Sequence, residues 1–250
     1  MISYGISHKG LVRSENQDAY INIDTPIGEL DNIYIVADGM GGHKGGAIAS
    51  KMAIDTLIEF IRDAKGKPEN ILEEGIIASN EAVYNASVED GSLHGMGTTM
   101  DVVTIKDDHI HIAHVGDSRV YYMNLDKQIE QLSKDHSYVQ ELLDSGAITE
   151  EEAYNHPNKN RITRAVGVDT SVEIDMINIK VNKKLQLKLL VCSDGLTNML
   201  KDEEIQSITY EDMDIRTRCE LMMKKSLENG GTDNVSIILV EGEKGWWKDA

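Results

Sequence analysis

The stretch IYIVADGMGGHKGGAIAS, residues 33–50, decides the fold because it joins an apolar run to an acidic residue and then to five glycines. The run IYIVA predicts a strand that ends at Asp38, and the apolar residues of the segment from about 44 to 64 recur with a helical period. Glycine-rich turns between a strand and a helix are typical of phosphate-binding loops. Here, however, Lys44 stands where both common nucleotide-binding templates require glycine, and a carboxylate at the head of the turn would repel phosphate.

The composition is that of an acidic globular protein. The 250 residues are 40% hydrophobic and carry a formal net charge of −18. This charge disfavours nucleic acid and anionic lipid as partners, and we expect no membrane insertion. Two cysteines, Cys192 and Cys219, and an amino terminus without an apolar leader segment are typical of a cytoplasmic protein. Solubility is one explanation of the acidity, and carboxylates that cluster around cations are the other.

Groups of strands and helices follow one another along the chain, which predicts an α+β fold with antiparallel pairing. We expect a single domain over residues 1–242, with a polar flap inserted at about 134–167 and helical in pieces, and a tail at 243–250. The predicted strands lie near residues 2–8, 18–24, 32–37, 97–107, 109–115, 119–124, 172–181, 185–192 and 234–242. The predicted helices lie near residues 44–64, 69–86 and 214–229.

Aspartates recur at the ends of the predicted strands. Asp38, Asp117 and Asp194 each follow an apolar run, and Asp233 precedes one. If these strand ends share one edge of a sheet, the carboxylates would repel one another unless a cation neutralised them. Oxygen ligands without paired Cys or His favour Mg²⁺ or Mn²⁺. The alternative is that these are solvated turn residues on different edges, which is the usual role of a single Asp-Gly.

The segment RSENQDAY places an arginine, Arg13, five residues before a further carboxylate, Asp18. The planar guanidinium of arginine matches phosphate oxygens. One shared site could therefore contain both side chains, although an ordinary surface arginine is the alternative.

Eight motifs follow one another along the chain, namely RSENQDA, VADGMGGHKGG, GMGTTM, HVGDSRVY, LSKDHS, ITRAVG, LVCSDGLTNML and GGTDNVSIILV. In this order they resemble the motifs of the bacterial type 2C (PPM) metal-dependent Ser/Thr protein phosphatases, over about residues 3–241. The resemblance implies a central antiparallel β-sandwich flanked on both faces by helices, a four-layer α-β-β-α arrangement, with a metal site at one end.

The resemblance also implies which residues hold metal. Asp38 would bridge two Mn²⁺ or Mg²⁺ ions, the Gly39 carbonyl would join one of them, and Asp194 and Asp233 would complete the shell. Asp117 would bind a possible third ion, shared with Asp194. The later glycines of the opening stretch would let the chain turn closely past this site.

Three further residues receive roles from the same resemblance. Arg13 would clamp the substrate phosphate, and Asp18 would orient a metal-activated water. His43 is a candidate proton donor for the leaving oxygen, because Met40 stands where eukaryotic members carry histidine; a buried or merely surface histidine is the alternative.

Six more side chains stand near these motifs. Thr98 and Thr99 would support the backbone beside the site, and Asp135 and His136 would border the flap, with turn and cap chemistry as the alternative. Arg161 and Arg164 could contact an acidic or phosphorylated partner or could simply be solvated.

The expected function is hydrolysis of phosphoserine and phosphothreonine in proteins by a cytoplasmic monomer that opposes a bacterial Ser/Thr kinase. Two alternatives remain open at this stage. One is a catalytically weak signalling or binding module of the same fold, and the other is a phosphatase of small phosphoesters.

Overall fold

The computed structural model describes residues 1–42, 45–123, 128–182 and 187–242. Strands contribute eleven elements to these ranges, all paired antiparallel. They are β1 Ile2–His8, β2 Asp18–Ile23, β3 Ile33–Met40, β4 Gly97–Thr98, β5 Met100–Lys106, β6 His109–Val115, β7 Arg119–Met123, β8 Ile129–Gln131, β9 Asp175–Lys180, β10 Leu187–Cys192 and β11 Val235–Gly242.

Helices lie mostly in two groups, one before the central strands and one after β10. A short 3₁₀ helix, Gly91–Leu93, links the first group to β4. The α-helices are α1 Gly45–Asp63, α2 Pro68–Glu89, α3 Tyr138–Asp144, α4 Glu150–Tyr154, α5 Asp194–Thr197, α6 Asp202–Thr209 and α7 Ile215–Glu228.

The strands form two sheets that pack face to face, and helices cover the outer face of each. One sheet has the order β1-β11-β10-β7-β8, and the other has the order β2-β3-β5-β6-β9, with β4 paired to β3. Leu57 of α1 shares a buried cluster with Ile35 of β3, and Met222 of α7 shares another with Leu239 of β11. The predicted four-layer α+β sandwich is therefore confirmed.

Strand β3 shows why the opening stretch has this place in the fold. Ile33, Ile35 and Ala37 belong to the cluster under α1 and α2, whereas Tyr34 and Val36 belong to the cluster between the two sheets. Successive side chains of a strand point to opposite faces. Because both faces of β3 are covered, its apolar run is uninterrupted, as is typical of a central strand.

Four short elements escaped the sequence-based expectations: the 3₁₀ helix, α5, α6 and β8. The helix α6 has an acidic first turn and buries only Ile205, Ile208 and Thr209, so its apolar period is too short to detect. The strand β8 has three residues. In addition, β3 extends to Met40 and does not stop before Asp38, because Gly39 pairs with Thr98 of β4.

The flap, residues 134–167, contains α3 and α4, which confirms that it is helical in pieces. Ser137 and Thr149 cap these helices with their hydroxyl groups, as the preference for Ser and Thr at helix starts leads one to expect. Within the described ranges, none of the helices has both the length and the apolar character that a membrane span requires.

Candidate active site

One end of the sandwich gathers the acidic residues that the sequence singled out. Asp18 and Asp38 are direct cross-strand partners at the start of β2 and near the end of β3. A cavity of about 180 Å³ opens there. It is lined by Arg13, Gln17, Asp38, Gly39, Met40, Gly41, Thr99, Asp117, Asn160, Ile162, Asp194, Asp233 and Asn234.

The Asp38 backbone is held on both sides by the neighbouring threonines. Its N–H donates to the Thr99 hydroxyl at 2.9 Å, and its carbonyl accepts from the Thr98 hydroxyl at 3.0 Å and the Thr99 N–H at 2.9 Å. Both threonines are buried. The prediction that Thr98 and Thr99 support the backbone beside the site is confirmed, and the position of Asp38 depends on main-chain bonds and not on its carboxylate.

At Gly39 the backbone of β3 lies against the first turn of α1. A Cβ at this position would collide with the carbonyl oxygen of Gly46 and would lie 2.5 Å from the carbonyl oxygen of Gln17. The first turn of α1 therefore packs directly on the backbone of β3. Glycine is needed here for close approach, which agrees with the predicted role of the glycines in turning the chain past the site.

Asp194 and Asp233 reach the cavity from two paired strands. The Ser193 N–H donates to the Ser236 carbonyl at 3.1 Å just beyond the paired ends of β10 and β11. Asp194 then begins α5, where the Asn198 side chain donates to its Oδ2 at 2.8 Å. Its Oδ1 is buried and has no hydrogen-bond partner in the part of the chain that the structure describes.

Two serine hydroxyls fix the carboxylate of Asp18. Ser193 and Ser236 each donate to Asp18 Oδ2 at 2.7 Å, and Asp18 Oδ1 is buried and has no partner within the described ranges. Sequence reasoning missed both serines and also Asn198. A polar residue at position 236, inside the otherwise apolar run VSIILV, was the available signal.

The loop between β1 and β2 brings Arg13 to the same cavity. Its Nη2 donates to Asp233 Oδ2 at 2.7 Å, and its side chain remains 51% exposed. Asn234, another residue that the sequence analysis missed, anchors this loop. Its amide donates to the Lys9 and Glu15 carbonyls at 2.9 Å and accepts from the Gln17 N–H at 2.8 Å.

Asp117 lies in the turn after β6 and is only 8% exposed. The next residue, Ser118, bonds through its hydroxyl to the Thr99 hydroxyl at 2.8 Å. The structure thus brings six predicted side chains, those of Arg13, Asp18, Asp38, Asp117, Asp194 and Asp233, to one end of the sandwich. His43 lies outside the described residues.

The crowded carboxylates raise one another's pKa values. Burial and the neighbouring carboxylates, Asp18 and Asp194 foremost, raise the pKa of Asp38 well above its usual value. Burial first, and then Asp233, raise the pKa of Asp194 to about 7, and burial raises that of Asp18 to about 6. A group of acids that resist ionisation together is stabilised by a bound cation.

The donor set fits a hard divalent cation, although rearrangement is needed. Two buried carboxylate oxygens of this cavity, Asp18 Oδ1 and Asp194 Oδ1, have no hydrogen-bond partner among the described residues, and the surrounding carboxylates offer oxygen ligands, as Mg²⁺ and Mn²⁺ prefer. The described residues contain no ready-made cage of three His, Cys, Asp or Glu ligands. The Asp38 carboxyl lies close enough to those of Asp18 and Asp194 for their charges to raise its pKa, and Arg13 holds Asp233, so a cation at Asp233 would replace that ion pair.

These pKa shifts predict how the stability of the metal-free protein depends on pH. Unfolded aspartates titrate near 4, so the folded protein retains protons up to pH 6–7 that the unfolded chain has released. Its free energy of unfolding should therefore fall as pH rises through this range. The melting temperature should drop by roughly 5 °C or more between pH 5 and pH 8.

The matched variant for this measurement is Asp18→Asn, which removes one of the titrating groups and keeps an oxygen for the two serines. Its melting temperature should depend less on pH than that of the wild type. Equal slopes for the two proteins would show that the acidity of the whole surface, and not this cavity, sets the dependence.

Comparison with known proteins gives consistent matches along most of the chain. A family model described as "Protein phosphatase 2C" matches residues 7–229. The serine/threonine phosphatase stp of Listeria monocytogenes is 36% identical over 241 residues, which cover 93% of this chain and 92% of that protein.

Solved structures agree with this result. The serine/threonine phosphatase Stp1 from Staphylococcus aureus has a TM-score of 0.88 and 35% identity, with 95% of this chain and 93% of that chain covered. The catalytic domain of the serine/threonine protein phosphatase PstP, in complex with two manganese ions, has a TM-score of 0.83 and 30% identity, with 95% and 96% covered.

Proposed function

The chain belongs to the protein phosphatase 2C family, and from this premise we propose that it hydrolyses phosphoserine and phosphothreonine in proteins with Mn²⁺ or Mg²⁺ held by the aspartates of the cavity. The observation that carries this proposal is the convergence of Asp18, Asp38, Asp117, Asp194 and Asp233 on one end of the sandwich. They come from separate segments of the chain, and two of them retain buried oxygens without partners.

In this proposal Asp38, the Gly39 carbonyl, Asp194 and Asp233 hold two cations, and Asp117 takes part in a third site. The two manganese ions of the PstP structure support the count. When bound, such cations would supply an acidified water and positive charge beside the phosphoryl oxygens.

The chain's own residues would position the phosphoryl group and the water. Arg13 is half exposed and can donate two parallel hydrogen bonds to phosphoryl oxygens. The guanidinium now pairs with the Asp233 carboxylate, and with Asp233 holding a cation Arg13 would be available to bind substrate. Ser193 and Ser236 fix one oxygen of Asp18. Its second oxygen can accept a hydrogen bond from a water molecule and so hold that water in one orientation.

The surroundings of the cavity favour a polypeptide over a small phosphoester. A cleft of about 510 Å³ lies between α3, α4 and α5 and shares Asp117 and Asp194 with the cavity. A small ester would leave this space empty, whereas residues beside a phosphothreonine could fill it. We further propose that the protein acts as a monomer in the cytoplasm and opposes a Ser/Thr kinase.

The test is phosphate release from a phosphothreonine peptide by the full chain, with Mn²⁺, with EDTA, and with Mn²⁺ restored after EDTA. We expect release with Mn²⁺, loss of at least a hundredfold in rate with EDTA, and recovery on restoration. No release, or release that survives EDTA, would contradict the proposal. Faster kcat/KM on a small aryl phosphate than on the peptide would favour the small-ester alternative, and Mn²⁺ binding without turnover would favour the signalling module.

A further inference from the structure

The turn that carries Asp117 is held by a single residue of the flap, His136. The His136 N–H donates to the Gly116 carbonyl at 2.7 Å, and the Gly116 N–H donates to His136 Nδ1 at 3.0 Å. Both main-chain polar groups of Gly116 are thus bonded to the backbone and ring of one buried histidine. Asp117 is the next residue, so its Cα can move little while this pair of bonds persists.

The conformation of Gly116 explains why glycine is required in this turn. Its φ is +117°, and a Cβ would lie 2.5 Å from the Thr99 side chain. The turn therefore fits between Thr99 on one side and His136 on the other. Thr99 also accepts the Asp38 N–H and bonds to Ser118, which places Asp117 and Asp38 on the two sides of one buried threonine.

The imidazole of His136 is itself held by groups from several elements. Its Nε2 lies 3.2 Å from Asp175 Oδ2, at the start of β9, and 3.1 Å from Arg164 Nη1. Its ring lies 4.6 Å from that of His114, which bonds to the buried Asp101 and to the Lys134 carbonyl. Since Nδ1 accepts from Gly116, the ring proton belongs on Nε2, where Asp175 accepts it.

The same residue joins the two ends of the flap. The His136 carbonyl accepts from the Thr163 N–H at 2.7 Å. Two residues further on, the Tyr138 N–H donates to the Arg161 carbonyl at 2.9 Å. The prediction that His136 borders the flap is therefore confirmed. The hydrogen bonds of His136 therefore connect Thr163, at the C-terminal end of the flap, to the turn that carries Asp117.

We propose that His136 is a positioning residue that sets Asp117 for its cation and makes this position depend on the flap. The inference rests on the proposed function, since it assigns a cation to Asp117. It adds a requirement for an unprotonated acceptor at Nδ1, which an asparagine can imitate because its Oδ1 occupies nearly the place of Nδ1. Alanine cannot supply that acceptor.

The test is calorimetric titration of the metal-free full chain with Mn²⁺ alone, for wild type and for Asp117→Asn, His136→Ala, His136→Asn and His109→Ala. Asp117→Asn identifies the binding event that needs Asp117. We expect His136→Ala to weaken that event at least tenfold and His136→Asn to stay within threefold of wild type. His109 lies on β6 with its side chain 40% exposed, so Mn²⁺ binding by His109→Ala should match that of the wild type.

Unchanged Mn²⁺ binding in His136→Ala, or an equal loss in His136→Asn and His136→Ala, would overturn the inference. If His136→Ala does not fold, a measurement on the wild-type protein still tests the inference. Its ¹⁵N spectrum with Mg²⁺ should show His136 with Nδ1 unprotonated and the Gly116 amide slow to exchange, and a proton on Nδ1 would overturn the proposal.

Failure of this inference can be told apart from failure of the proposed function. A wild-type protein that releases phosphate with Mn²⁺ and binds the ion at Asp117, but is indifferent to residue 136, contradicts only the role of His136. A wild-type protein that neither binds Mn²⁺ nor releases phosphate contradicts the proposed function. The inference about His136 then loses its premise.

Discussion

The Asp38→Asn variant should lose phosphatase activity by at least about a thousandfold in kcat, which corresponds to about 4 kcal/mol of transition-state stabilisation. Asp38 is the cross-strand partner of Asp18, and burial together with the charges of Asp18 and Asp194 raises the pKa of its carboxyl. In the proposed site it contacts both cations, so the amide removes ligand charge from both. The measurement is turnover of a phosphothreonine peptide together with calorimetric titration with Mn²⁺.

The fold should survive this substitution. The Asp38 backbone is bonded to Thr98 and Thr99, and an amide of the same shape leaves those bonds intact. Because burial and the neighbouring carboxylates raise the pKa of Asp38 well above its usual value, a neutral amide at this position relieves that repulsion, so the melting temperature of the metal-free variant should not fall below that of the metal-free wild type. Asp55→Asn, at an exposed site on α1, is the control that should keep full activity. Near-native turnover by Asp38→Asn would refute the proposed metal ligand.

The Gly39→Ala variant should lose both stability and activity, because a methyl group cannot fit where β3 meets the first turn of α1. The added Cβ would collide with the Gly46 carbonyl and press on that of Gln17, and backbone cannot move aside as a flexible side chain can. We expect about 2–3 kcal/mol of destabilisation. Displacement of Asp38 and of the neighbouring carbonyl should reduce kcat/KM at least a hundredfold.

Gly42→Ala is the matched control in the same glycine-rich turn. Among the described residues, no atom comes within 4 Å of a Cβ at Gly42, so the melting temperature and activity of Gly42→Ala should stay near those of the wild type. Denaturant unfolding and peptide turnover measure both variants. If Gly39→Ala is as well tolerated as Gly42→Ala, the close approach does not position the site.

Local patterns in the sequence were enough to predict most of the elements and the acidic set. Apolar alternation marked the strands of the structure apart from β8, and the helical period marked α1, α2 and α7. It was insufficient for α6, whose few buried residues complete too little of a helical period. It also ended β3 too early, because the pair between Gly39 and Thr98 joins residues far apart in the chain.

The supporting residues of the site could not be predicted for the same reason. Ser193 and Ser236 hold Asp18 from across the sandwich, and Asn234 anchors the loop of Arg13. Each is an ordinary polar residue in its own segment. Its importance comes from a partner that lies between 175 and 225 residues away, and no local pattern records such a partner.

Local patterns predicted most of the strands and helices of this protein and the acidic residues at its strand ends, because alternation and charge are properties of neighbouring residues. Contacts between distant segments place Asp18 opposite Asp38 across a strand pair, require glycine at position 39 and bond His136 to the turn of Asp117. Register and loop packing arise from contacts between distant segments, and these contacts make separate carboxylates into one site.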